Sequence, residues 1–466
     1  MTGQAQSPRL SKIIAATVVL TVAAMVGYAN WKDAVGSRNR FTIAPLIGTP
    51  GAPRTSREEL AGRIAQLKAR LATRPDDTGA AVLLADALMR QARVTGNGGL
   101  TLEAEQALRG ALKEDPADYD ALRMLGTVYL SQHRFREAIQ DAERARDIRP
   151  YDAWNYGVIG DGYIELGEYS RAFDAFDAMV SRRPGSAAYA RVAYARELQG
   201  NLEGALRAMK MAAEATAPDD PEAQAWHHAQ VGDLYFQVGR IAEAQREYER
   251  AALIFPDHPF AVAGLAKVKA ARGDYAGALE LYRAQLERTP TLDLAAEVGD
   301  LYARRGNVAE AERYYAMAEN IARESVGQSE STLARFWAER GRRLEQAVRL
   351  AESVAAIRHD IFTEDALAWA YFKVGRRDEA RAASDLALRT GTRDRRILYH
   401  AAAIRHAAGD VAGARELLER ALAGNLEFDQ NSAPAARQLL ESLSRRREST
   451  LEAPVLSARG WGPRAH

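Results

Sequence analysis

One glycine returns at nearly constant intervals along this chain. Gly167, Gly200, Gly239, Gly273, Gly306, Gly341, Gly375 and Gly409 are separated by 33, 39, 34, 33, 35, 34 and 34 residues. An alanine follows five residues later at Ala172, Ala205, Ala244, Ala278, Ala311, Ala380 and Ala414, and Ala138 extends the series backwards. Prolines keep the same step at Pro116, Pro150 and Pro184, then at Pro256 and Pro290. Three residue types sharing a period near 34 mean that one structural unit is repeated. Such a chain grows by stacking units rather than by closing around a single centre.

Chemistry explains each conserved place in the period. In residues 153–184 apolar side chains recur at helical spacing: Tyr156, Ile159 and Tyr163, then Tyr169, Phe173 and Phe176. Gly160 marks a close crossing of two helices. Gly167 ends the first helix, because glycine takes the left-handed C-terminal position without strain. Ala172 faces back across the pair, and Pro184 stops the second helix because it has no amide hydrogen to donate. Residues 225–256 repeat the order with His228, Val231, Gly232, Tyr235, Gly239, Ala244, Tyr248, Ala251 and Pro256.

On these residues the chain resembles the tetratricopeptide repeat family, of the bacterial type. The resemblance covers about 79–428. It implies an all-α, right-handed superhelical solenoid of about ten antiparallel helix pairs, preceded by one N-terminal hydrophobic helix. Units begin near 79, 119, 153, 186, 225, 259, 292, 327, 361 and 395. Residues 57–78 read as an N-terminal cap, with Leu60, Ile64, Leu67 and Leu71 on one stripe. Residues 429–446 read as a C-terminal cap and 447–466 as a flexible tail.

The first thirty residues have a different character. Ile13–Asn30 carries no charge over 18 residues, the short limit for a membrane span. Basic residues precede it, and Gly27 and Ala29 flank Tyr28 like a cleavage signal. Residues 1–30 therefore read as a signal peptide or single membrane anchor. Residues 31–56, with Pro45, Pro50 and Pro53, read as a linker. The expected location is the bacterial inner membrane with the solenoid on the extracytoplasmic side, or the periplasm after export.

Composition narrows the function. Lys+Arg is 63 and Asp+Glu is 62, so no excess of positive charge exists for general nucleic-acid binding. Cysteine is absent, which removes disulfides, thiolate nucleophiles and Cys-ligated metals. No HExxH helix, phosphate loop or G-x-S-x-G elbow is present. His227 and His228 are adjacent and diverge on a helix, while His400 and His406 are six apart; neither spacing suits a metal. The acidic pairs Asp76–Asp77 and Asp219–Asp220 read as helix caps. The expectation is a chain without enzymatic activity, cofactor or metal.

In the resembled family, first helices line a concave face that takes extended peptides. Positions 2, 5, 9 and 12 of each unit supply the lining. Here those places give Trp154, Asp161, Tyr194, Trp226, Asp233, Phe236, Phe260, Asp300, Trp369 and Phe372. Rings would supply contact area, and carboxylates would grip Arg or Lys of a protein or peptide partner. The same acids each follow a glycine and also suit bonds between neighbouring units, and the rings also suit the core. The expected role is a protein-interaction scaffold, anchored through residues 13–30 if these are not cleaved. A self-assembling structural factor and, less favoured, a hydrolase on a helical array are the alternatives.

Overall fold

The computed structural model describes residues 57–95, 99–218, 220–324 and 330–451. Residues 1–30, read from the sequence as a signal or anchor with a hydrophobic helix, residues 31–56, read as a linker, and residues 452–466 of the expected tail lie outside them. Twenty-two α-helices and no strand occur among the described residues.

A single helix, α1 (Arg57–Thr73), opens the array and buries Leu60, Ile64 and Leu67 on the stripe read from the sequence. Ten pairs follow. They are α2 (Thr78–Thr95) with α3 (Gly99–Glu114), α4 (Tyr119–Ser131) with α5 (Phe135–Ile148), and α6 (Ala153–Glu165) with α7 (Tyr169–Arg182). Next come α8 (Ser186–Leu198) with α9 (Leu202–Glu214), α10 (Pro221–Gln237) with α11 (Ile241–Ile254), and α12 (Pro259–Ala271) with α13 (Tyr275–Arg288). The last four are α14 (Leu292–Arg304) with α15 (Val308–Glu324), α16 (Glu330–Glu339) with α17 (Leu344–Ala355), α18 (Ile361–Lys373) with α19 (Arg377–Ala387), and α20 (Arg395–Ala407) with α21 (Val411–Leu422). A long helix, α22 (Ser432–Leu451), closes the series.

Local chemistry sets these boundaries. All eight periodic glycines have positive φ, from 64° at Gly341 to 86° at Gly409. In the α4–α5 pair His133 holds that corner at φ 58°, a conformation costly for a residue with a Cβ. Asp77 accepts the Ala80 amide at 2.8 Å and Asp220 the Ala223 amide at 3.0 Å, so both acidic pairs include a cap. The unit expected near 225 starts one turn earlier, because Pro221 suits a first helical position and Asp220 caps it.

Packing within a pair depends on the second glycine. A Cβ on Gly160 would overlap the Phe176 ring, on Gly232 the Tyr248 ring, and on Gly299 the Tyr315 ring. The aromatic lies 16 residues after its glycine in each pair, so the second helix crosses directly over the first. Between pairs, first helices pack on the next first helices: α2 on α4, α4 on α6, α10 on α12, α16 on α18 and α18 on α20. Successive second helices lack such packing. First helices thus follow the shorter, inner arc, and their outward-turned faces line a hollow.

Candidate peptide-binding face

The three expected acids are on the inner arc, and each is held by its own chain. Asp161 of α6 receives both Arg191 of α8 contacts, at 2.9 and 2.6 Å. Asp233 of α10 accepts Tyr248 Oη at 2.9 Å and Lys267 Nζ of α12 at 3.1 Å. Asp300 of α14 accepts Tyr315 Oη at 2.8 Å and Arg340 Nε at 2.9 Å. A buried or half-buried carboxylate is stable only with such partners. These acids therefore join consecutive pairs.

The rings divide into two groups. Trp226 and Phe236 are buried in one cluster with Ala190, Met209 and Ala212, and Trp369 is buried face to face with His400, centroids 3.9 Å apart. This corrects their reading as displayed anchors: the neighbouring pair presents alanines, whose small side chains leave room for an indole to enter the core. Trp154 is half-buried beneath Arg123, whose guanidinium carbon lies 5.1 Å from the ring. Tyr194 and Phe372 are half-buried, and Phe260 is 43% exposed. Water-reachable ring surface on the arc thus falls to Trp154, Tyr194, Phe260 and Phe372.

Further charged groups, absent from the sequence reading, share this face. Burial pushes Glu165, Glu197 and Glu297 up to about 7, although each retains some water contact. Nearby carboxylates add to the shift: Asp360 and Asp161 for Glu165, Asp233 and Asp394 for Glu197, Asp300 and Asp429 for Glu297. Glu339 behaves oppositely. Burial works against its charge, but Arg335, Arg396 and Arg340 hold it down at about 2. His400 pairs with Asp365 at 3.0 Å and is 1% exposed. Groups of three or more residues able to hold a metal ion are absent among the described residues.

The array also curves far enough to meet itself. The His359 amide donates to the Glu165 carbonyl at 2.8 Å, and the Ile361 amide donates to Tyr169 Oη at 2.8 Å. Arg358 pairs with Glu165 at 2.6 Å, and Arg389 donates to the His359 carbonyl beside Gly167. Further along, Arg395 Nε donates to the Gln237 carbonyl at 2.9 Å and Asn425 Nδ2 to the Phe236 carbonyl at 3.0 Å. Arg304 pairs with Glu427 at 3.0 Å and donates to the Gln430 carbonyl at 3.3 Å. Asn431 Nδ2 reaches Asp300 at 2.7 Å. With Gly200 also facing the Gly391 carbonyl, corners of the α6–α7, α8–α9 and α10–α11 pairs are covered by segments from the last three pairs. The loop 423–431 thus lies against the end of α10 and against Asp300 and Arg304 of α14.

This fold and face define a class: an all-helical repeat array that offers an inner surface lined by side chains of its first helices. The sequence model described as Tetratricopeptide repeat matches residues 97–153, 158–221, 232–293 and 264–325. The chain belongs to the tetratricopeptide repeat family. A comparison with curated proteins returned no match. Among solved structures, MamA is 24% identical, with 35% of this chain and 91% of that one covered and a TM-score of 0.29. Pseudomonas aeruginosa pilF is 17% identical, with 47% and 98% covered and a TM-score of 0.38. Yeast Tom70 is 12% identical, with 86% and 95% covered and a TM-score of 0.36. Among the described residues no helix is long and apolar enough to cross a membrane.

Proposed function

We propose that this chain is a protein-interaction scaffold whose inner arc holds an extended segment of another polypeptide. The observation that carries the reading is the arc itself: ten stacked pairs set Trp154, Tyr194, Phe260 and Phe372 in partial water contact beside charged side chains. Rings give area at low entropy cost, and fixed charges set register. A preformed surface loses little on binding. In this proposal residues 13–30 tether the scaffold to a bacterial inner membrane or direct its export, supported by their uncharged 18-residue run.

The test is a photo-crosslinking amino acid placed singly at Tyr194 or Phe260, and at Leu253, which is 84% exposed on a second helix. The reading expects polypeptide adducts from the first two sites and not from Leu253. Equal yields from all three would reject it. Fractionation of cells into membrane and soluble pools, with and without residues 1–30, tests the tether.

A further inference from the structure

We infer that the loop Ala423–Asn431 is an internal occupant of the inner arc, and that a partner gains this surface by displacing it. The inference rests on the scaffold reading and says what that surface recognises.

The loop connects α21 to α22, and while Asp429 accepts amides at the start of α22 and Glu427 pairs with Arg437 at 2.6 Å, other polar contacts reach far back in the sequence. Asn425 Nδ2 donates to the Phe236 carbonyl at a separation of 189 residues. Glu427 pairs with Arg304 at a separation of 123. The Gln430 carbonyl accepts from Arg304 and the Asn431 amide reaches Asp300. Asp300 and Arg304 stand one helical turn apart on α14, on its inner side. The loop therefore runs, through a turn and several bends, from the α10–α11 corner across to α14.

The contacts have the composition of peptide recognition. Two side-chain amides, one carboxylate and one main-chain carbonyl are read by a carboxylate, a guanidinium and the Phe236 carbonyl near the end of α10. Most of this is replaceable by like chemistry. Arg304 and Glu427 are 20% and 30% exposed at their side chains, so water and a competitor both reach them. Leu426 stands 56% exposed rather than anchoring the loop. Only the Asn425 contact is buried. Phe428, the other large apolar residue of the loop, packs against the cluster of Leu398, Leu417 and Leu418.

The partner this chemistry fits is a peptide that takes the loop's own bends and carries a carboxylate for Arg304. It carries an amide donor four residues further on for Asp300, the spacing of Glu427 and Asn431. The probe is the loop's own sequence, a labelled synthetic peptide covering residues 423–433, titrated into the full chain by fluorescence anisotropy. It is compared on wild type and on Asn425→Ala/Glu427→Ala/Asn431→Ala, which keeps the receptor residues Asp300 and Arg304. An internal copy lowers apparent affinity by the fraction of time it is seated. The variant should bind the peptide about tenfold more tightly than wild type. A peptide with the same three positions changed to alanine should not bind. Equal binding to both proteins, or binding to neither, overturns the inference. Circular dichroism checks the variant's helix content. If that falls, Glu427→Gln alone replaces it, with about a threefold gain expected and no gain overturning the inference. Failure here with inner-arc crosslinks intact removes the internal occupant and leaves the scaffold; loss of crosslinks with peptide binding intact does the reverse.

Discussion

The main-chain amide of His359 donates to the main-chain carbonyl of Glu165 at 2.8 Å, across 194 positions of sequence. Two residues later the Ile361 amide uses Tyr169 Oη as its acceptor, and this contact is buried. A buried amide that loses its only partner costs about 1–3 kcal/mol. Tyr169→Phe should therefore lower stability by about that amount, since the ring is retained. Hydrogen exchange should rise at residues 359–361 more than at Leu398, in the core of the following pair. Unchanged exchange there would show that this junction is not formed in solution.

Helix crossing within a pair rests on absent side chains. Gly160→Ala would drive a methyl group into the Phe176 ring, and overpacking of this kind costs about 1–3 kcal/mol. Gly110 lies mid-helix in α3 with nothing within 4 Å of a Cβ. There alanine should stabilise by about 0.5–1 kcal/mol through helix propensity. Denaturant melts of the two variants should move in opposite directions.

Inner acids differ in what their loss costs. Asp300 and Arg340 have side chains 5% and 11% exposed, so Asp300→Asn takes the closer of two carboxylates from a buried cation and leaves it Glu339 at 3.1 Å. About 1–3 kcal/mol should be lost, the cost of breaking one buried charged contact while another remains. Asp233 and Lys267 are 27% and 43% exposed, and Lys267→Met should cost under about 1 kcal/mol. Double-mutant cycles measure both.

Stability should carry a signature of the inner carboxyls. Burial lifts Glu197 and Glu297 from 4.5 to about 7. Between those values the folded chain keeps protons that the unfolded chain has lost. Their contribution is full below pH 4.5 and is lost as pH rises through 7. Burial holds His227 and His258 down at about 4 from 6.5, so their contribution is present above 6.5 and lost as pH falls toward 4. Glu197→Gln with Glu297→Gln removes only the first trend. The variant's stability relative to wild type should rise steadily from pH 5 to pH 7.5 in thermal melts. A constant difference across that range would contradict it.

The repeat was legible because each landmark is local. Gly167 needs only its own φ, and Gly160 needs only Phe176, 16 residues on. The pairing of the inner acids was half-legible. Asp161, Asp233 and Asp300 find Arg191, Lys267 and Arg340 one unit on, at separations of 30, 34 and 40, a spacing that marks a base waiting beside each acid. The burial of Trp226 depended on alanines of the preceding pair, which periodicity does not weigh. The contact of Glu165 with His359 was not legible at all. It depends on small rotations summed over six units, and neither residue is unusual within its own repeat.

A run of stacked pairs that meet only their neighbours lengthens like a spring when its ends are pulled, each joint opening a little. This chain is stitched between coils at Glu165–His359, Phe236–Asn425 and Asp300–Asn431. Under tension it should hold its length until those stitches part, then yield in one jump, so that the array acts as a force-gated clasp and not as an elastic thread.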